Sequence, residues 1–402
     1  MGPLTVNLMS YSFMVLFLPM NFPCVWVTDQ YGLRWAVIGG ILSTAVGLWV
    51  RCLLNQSFAF ALIGQTIMAL GQPFLYNAPA LVTTNWFPER ERPVATMVGT
   101  QMNILGIFIG FLFPSIFLDP YTDGTVLTPQ QRETYGRQMF YMMMASAIFA
   151  TVVAVAVLVS FRERPGAAIF RPRAGAAELI AAEDGARARV PLLKQMMLCL
   201  RNRAYLFTSL GTCGVIMHMY VFTTVIGQLV GPYGITDQTF VTQMGLFVFG
   251  FGVLGGVIFS LILMRFPAQM MLAAYIVCIA SLACLAFFYV EDRQADRGGI
   301  LAACGVHGFF LLPILFVAYE LAVMHTAKDG VGDTMSCGLV NVYANFVGFL
   351  IAMALTPALA KETEGGATTT LVVLLANLCV ALAFLVVGSA YTPARPARHP
   401  SE

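Results

Sequence analysis

Residues 26–34 read Trp-Val-Thr-Asp-Gln-Tyr-Gly-Leu-Arg. An apolar run lies on each side of this polar tip, at 4–28 before it and 33–53 after it. Either run is long enough to cross a hydrocarbon core, which takes roughly 20 helical residues. Only a few residues, one of them glycine, separate the two. The chain must therefore reverse at a membrane face, and the stretch reads as the tip of a transmembrane helical hairpin.

The same pattern continues outward along the chain. Further spans are predicted at 57–86, 94–118 and 138–161, then at 204–230, 239–264, 269–290, 299–324, 335–360 and 368–390. The runs are continuous, without the alternation of barrel strands, so the fold class is an all-α membrane protein with eleven spans arranged as five and six. Composition agrees. Of 402 residues 58% are hydrophobic and 10% charged, and mean hydropathy is +0.78. A soluble domain carries roughly 25% charged residues. The net charge of +2 gives no basic stripe for nucleic acid. Nine cysteines without a C-x-x-C pair indicate neither a zinc site nor a disulfide framework. No metal and no cofactor is expected.

Charge placement orients the chain. Sixteen Lys and Arg fall on the side of the long loop at 162–203, and only Arg51, Arg132, Arg137, Arg293, Arg297 and Lys361 on the other. The long loop and the C-terminus are therefore predicted to be cytoplasmic. The expected organisation is an incomplete N-terminal bundle at 1–161, a cytoplasmic linker at 162–203 with a surface helix around 191–201, a six-helix bundle at 204–390 and a tail at 391–402. Two-half transporters split six and six. The split of five and six predicts that one more helix precedes residue 1 in a twelve-helix protein.

Internal repetition supports two halves. Asn103-Ile-Leu-Gly106 and Asn345-Phe-Val-Gly348 each precede an apolar run and a proline, Pro114 and Pro357. Polar residues inside the spans include Gln65, Gln72, Asn77, Gln101, Asn103, Gln243, Asn341 and Asn345. Interhelical hydrogen bonding is the default role for each. Gly106 with Gly110, and the run from Gly245 to Gly256, predict close helix packing. No chain of buried carboxylates is visible. His218, His307 and Glu320 are the nearest titratable candidates, which favours facilitated diffusion over proton coupling. There is no P-loop, no T-V-G-Y-G filter and no nucleophile–base pair, so an ATP-driven pump, a potassium-type pore and an enzyme are disfavoured.

Asp29-Gln-Tyr-Gly-Leu-Arg34 resembles the D-x-x-G-x-R loop of the major facilitator superfamily. With its flanks it is similar to the feline leukaemia virus subgroup C receptor-related transporters. Gly64-Gln-Thr-Ile67, Asn85-Trp-Phe-Pro88, Leu105-Gly-Ile-Phe-Ile-Gly-Phe-Leu-Phe-Pro114, Gly308-Phe-Phe310, Glu320-Leu-Ala-Val323 and Gly338-Leu-Val-Asn-Val342 fit the same family. The resemblance implies a twelve-helix facilitator with a central cavity and alternating access. It also implies a latch in which Asp29 and Arg34 pair across a turn permitted by Gly32. The implied cargo is a choline- or ethanolamine-like amine, or haem. The family's choline site is an aromatic cage with a polar rim, and ring faces attract a quaternary ammonium within about 6 Å.

Carried over position by position, the cage tyrosine falls on Tyr220. One rim glutamine falls on Asn345, and another on Ile104, which cannot hydrogen-bond. Gln101, three residues from Ile104, and Asn103 are the nearby amides; only Gln101 can share its helix face. The cage tryptophan belongs to the helix expected before residue 1. The substrate-binding candidates are thus Tyr220, Asn345, Gln101 and Asn103, and no catalytic residue is assigned. For haem, Met217-His218-Met219-Tyr220 offers ligand types, but His218 and Tyr220 point about 200° apart and cannot serve one iron face. The expected partners are a small-molecule substrate and the lipid bilayer, for a monomer in the plasma membrane by default. A non-transporting receptor or a defective shortened isoform remains the alternative reading.

Overall fold

A computed structural model describes residues 3–87, 91–119, 128–163, 191–294, 296–359 and 363–392. Residues 164–190 of the expected linker, and the tail from 393, lie outside the described residues. The N-terminal half holds α1 (Pro3–Tyr31), α2 (Leu33–Arg51), α3 (Phe58–Tyr76), α4 (Ala78–Trp86), α5 (Arg92–Phe117) and α6 (Pro129–Ser160). Then come α7 (Leu192–Arg201), α8 (Arg203–Val230), α9 (Gln238–Arg265), α10 (Met270–Gln294), α11 (Arg297–Leu311), α12 (Ile314–Thr326), α13 (Asp333–Leu359) and α14 (Glu364–Tyr391). Among the described residues there are eleven spans long and apolar enough to cross a membrane. Helices dominate because a backbone in lipid must satisfy its own hydrogen bonds. "Near side" denotes below the face carrying Gly32 and α7, and "far side" the opposite face.

Span ends are set by local chemistry. Ser57, Asp237, Asp296 and Thr363 accept hydrogen bonds from backbone N–H groups of the helices they start. Thr128 and Gln131 form a reciprocal capping box that starts α6. This helix begins nine residues before the predicted 138, because its first turns are polar and carry no hydropathy signal. The expected surface helix is α7. Its Gln195 side chain accepts a hydrogen bond from the Gly332 N–H at 3.1 Å, tying it to the turn before α13.

Two spans are broken at matching places in the halves. Asn77 separates α3 from α4, with Pro73 inside α3 and another proline in the first turn of α4. Leu312 and Pro313 separate α11 from α12. Proline removes a backbone donor and clashes with the preceding turn, so each break is local in origin.

The halves meet along two seams, α1 against α13 and α5 against α9. On the first, Tyr11 donates to the Ala352 carbonyl at 3.1 Å and bonds the Thr356 hydroxyl. Nearer Gly32, Gly338 lies against the Asn21 amide. On the second, Phe111, Phe108 and Gln101 of α5 press on Gly245, Gly250 and Gly256. That glycine-rich helix does pack closely, as expected. Gly106 and Gly110 do not: a Cβ at either would meet nothing within 4 Å. Their spacing resembles a packing motif, but the face opens on space, and Gly110 lines a second cavity of about 340 Å³ with Gln238, Val241 and Thr242 of α9.

Candidate functional site

Tyr76, the last residue of α3, stands at the first helix break. Its side chain lies in interaction range of Tyr220 on α8, Asn103 on α5 and Gln72 one turn back on α3. Tyr319 on α12 lies in range of both Tyr76 and Tyr220. The Tyr319 hydroxyl is held by Asn341 of α13, whose Nδ2 donates to it at 2.9 Å. Three tyrosines from both halves therefore converge between the bundles. A cavity of about 110 Å³ opens there, lined by Tyr76, Pro79, Thr100, Asn103, Leu315 and Tyr319 among others. No acidic or basic side chain lines it. Tyr220 flanks the cavity, with its hydroxyl directed at the Tyr76 side chain.

The amides separate into two groups. Asn103 lines the cavity and Gln72 is aimed at Tyr76. Gln65, Asn77 and Asn341 fasten helices to one another. Gln65 donates to the Met9 carbonyl at 3.3 Å, and Asn77 donates to the Asn21 Oδ1 at 2.8 Å. Asn345 is buried and donates to the Asn341 carbonyl one turn back in its own helix at 2.8 Å. Gln101 shares the buried face of Ile104, as the helical spacing requires, but that face packs on Gly256 of α9 and is not the cavity wall. Of the sequence candidates, Tyr220 and Asn103 come together at the cavity, while Asn345 and Gln101 lie in the packed seams. Tyr76 and Tyr319 were not singled out from sequence. The signal that finds them is the pair of proline-interrupted spans at corresponding positions of the two halves.

The turn at Gly32 is built around a residue outside the motif. Gly32 has φ +87°, a conformation that favours glycine. Glu163, just past α6, accepts from the Leu33 N–H at 2.9 Å and the Arg34 N–H at 2.7 Å. A carboxylate on the open N–H groups of a helix start is favoured by hydrogen bonding and by the helix dipole. The Arg34 guanidinium reaches the Leu158 carbonyl of α6 at 3.5 Å. A Cβ on Gly32 would lie 2.8 Å from Glu163 Oε2, so glycine also leaves room for the carboxylate. Glu163→Ala is expected to destabilise the N-terminal half by about 1–2 kcal/mol. Glu163→Gln, which keeps one acceptor, should lose less. Thermal unfolding of the detergent-solubilised chain checks this, and equal midpoints for wild type and Glu163→Ala would refute it.

The sequence pattern of the Major Facilitator Superfamily matches residues 1–352. The chain belongs to that superfamily. The choline/ethanolamine transporter FLVCR1 of Felis catus is 26% identical over 359 residues, covering 87% of this chain and 60% of the relative. The choline/ethanolamine transporter flvcr2b of Danio rerio is 26% identical, covering 87% and 69%. Solute carrier family 49 member A3 of Danio rerio is 25% identical, covering 93% and 76%. This superfamily member thus spans about 60% of the length of its feline relative. These relatives agree with the resemblance carried by residues 26–34 and the later motifs. The major facilitator fold is shared with the transporter FucP in its outward conformation, with a TM-score of 0.65 at 14% identity over 98% of this chain and 91% of FucP. The protein is an integral multi-pass membrane protein.

Proposed function

We propose that the chain is a facilitator that carries a small amine of the choline or ethanolamine class by alternating access, and that it is not an enzyme. The observation behind this reading is the uncharged, tyrosine-walled cavity between the bundles. A quaternary ammonium makes no hydrogen bonds and is drawn to ring faces. Tyr76, Tyr220 and Tyr319 supply such faces, and Asn103 and Thr100 supply polar groups for a hydroxyl. Alternating access needs a site reachable from both bundles, and these residues come from α3, α5, α8 and α12. The names of the feline and zebrafish relatives point to the same cargo. Haem fits less well. His218, the histidine among the haem-ligand types, is enclosed in the C-terminal bundle at 0% exposure.

The test is uptake of radiolabelled choline by vesicles holding the full chain, with ethanolamine and haem as competitors. Saturable choline uptake displaced by ethanolamine and untouched by haem is expected. Displacement by haem alone would replace the amine with haem as cargo. Absence of any uptake, with choline binding retained, would favour the receptor reading.

A further inference from the structure

Helix α7 is 10 residues long, about half of what a crossing takes, and both of its ends are pinned where spans stop. Near its start, the Gln195 side chain holds the Gly332 N–H, one residue before α13. Just past its end, the Asn202 side chain donates to the His325 carbonyl at 2.9 Å, in the last turn of α12. The same amide donates to the Asp329 carboxylate at 2.8 Å, in the turn that follows. Arg203 then opens α8 and lies over the ring of Tyr391, the last residue of α14, at 5.8 Å. The start of α8, the end of α12 and the start of α13 thus hold α7, and the end of α14 lies level with them. The helix therefore runs along the near face at the depth where apolar spans give way to polar chain, which is the interface of a bilayer.

Side chains advance by about 100° per residue around a helix, which divides α7 into three sectors. Gln195 and Cys199 are buried, and Leu192, Met196 and Leu198 pack against the C-terminal core. Next to this sector comes an apolar one that is open. Leu193, Met197 and Leu200 follow one another at helical spacing and are 66%, 49% and 39% exposed. Beyond them lie Lys194 and Arg201, both exposed and two turns apart on one side of the helix. No acidic residue occurs in α7.

An exposed leucine on a span needs no explanation, because lipid covers it. A continuous apolar stripe on a surface helix does need a cover, and here the cover must satisfy two demands at once. It must be apolar against Leu193, Met197 and Leu200, and anionic against Lys194 and Arg201. A bilayer containing anionic lipids offers both, acyl chains at the boundary and phosphate groups beside them. Protein, apolar and basic sectors follow one another around α7 in the order required of a helix that lies in the interface against the flank of a bundle. The near face is also the one that the Lys and Arg placement assigns to the cytoplasm, whose leaflet carries the anionic lipids.

We propose that α7 is a docking surface for the anionic lipids of the near leaflet. Leu193, Met197 and Leu200 enter the acyl boundary, and Lys194 and Arg201 meet lipid phosphate groups. The docking holds whatever the cargo is, and its test does not depend on transport. Hydrogen exchange of residues 192–201 is followed in the full chain, in detergent and in nanodiscs of phosphatidylcholine with and without about one third phosphatidylserine. Exchange reports local opening. It is expected to be about tenfold slower in the discs that contain phosphatidylserine. The difference should shrink as salt rises, because salt screens exposed charges. It should vanish in the double variant Lys194→Gln with Arg201→Gln, whose unfolding midpoint in detergent should match that of wild type. Met197→Ser should speed exchange in both kinds of disc, because it interrupts the apolar stripe. Equal exchange in the two kinds of disc overturns the proposal. So does exchange as slow in detergent as in the discs, which would assign the cover of the stripe to another part of the chain. Slowing seen only in discs that hold two copies would assign the stripe to a second chain, and overturns it as well.

Discussion

Tyr220→Ala is expected to weaken choline uptake by about 30-fold in half-saturation, and Tyr220→Phe by far less. The ring flanks the cavity beside Tyr76 and Tyr319, and its loss removes one face of the cage. A cation over a desolvated ring gains about 2 kcal/mol, and each 1.4 kcal/mol is a factor of ten in affinity. The hydroxyl behaves differently. Its reach is to the Tyr76 side chain, so phenylalanine keeps the ring face and gives up only that contact. Concentration-dependent uptake at matched surface expression separates the two variants. Equal weakening in both would show that the hydroxyl, and not the ring, holds the cargo, and the cage would have to be given up.

Gly308→Ala is expected to destabilise the C-terminal bundle by about 3 kcal/mol or more, at the upper end of what overpacking does. A Cβ at Gly308 would overlap the Val248 carbonyl, and one at Gly255 would overlap the Phe309 carbonyl. The two glycines bring α9 and α11 backbone to backbone, and backbone cannot give way as a flexible side chain can. Gly106→Ala is the matched control. Nothing lies within 4 Å of a Cβ there, so this change should be neutral or should gain up to about 1 kcal/mol from helix propensity. Unfolding midpoints of the two variants against wild type decide the matter, and similar midpoints for both would mean that the α9–α11 approach is looser than described. The contrast also shows why spacing alone misleads. Gly106 and Gly110 carry the packing motif and face open space, whereas Gly308 carries no packing motif and sits where two helix backbones touch.

The site was legible in the same uneven way. Tyr220 and Asn103 were chosen from sequence, and the structure brings them to the cavity. Gln101 and Asn345 were chosen by the same reasoning and lie in packed seams. A polar amide in a span looks identical in sequence whether it meets a cavity or a neighbouring helix, because helical periodicity gives relative angles and not the direction of a face. Tyr76 and Tyr319 carry no unusual composition and gain meaning only from the breaks beside them. Glu163 is separated from Gly32 by five helices in the chain, α2 to α6, so no local pattern links the carboxylate to the N–H groups it holds.

What the sequence determined by itself was the membrane, the number of spans, their division into two groups and the tight turn at Gly32. Those properties depend on the solvent: lipid admits only long apolar helices, and such helices are visible residue by residue. Which faces of the helices meet was decided only by the tertiary structure. Inside a bilayer the apolar lipid and the apolar core look alike, so hydropathy cannot tell one face from another. The three converging tyrosines, the glycine contact between α9 and α11, and the facing pair His218 and His307 all follow from close packing between helices apart in the chain.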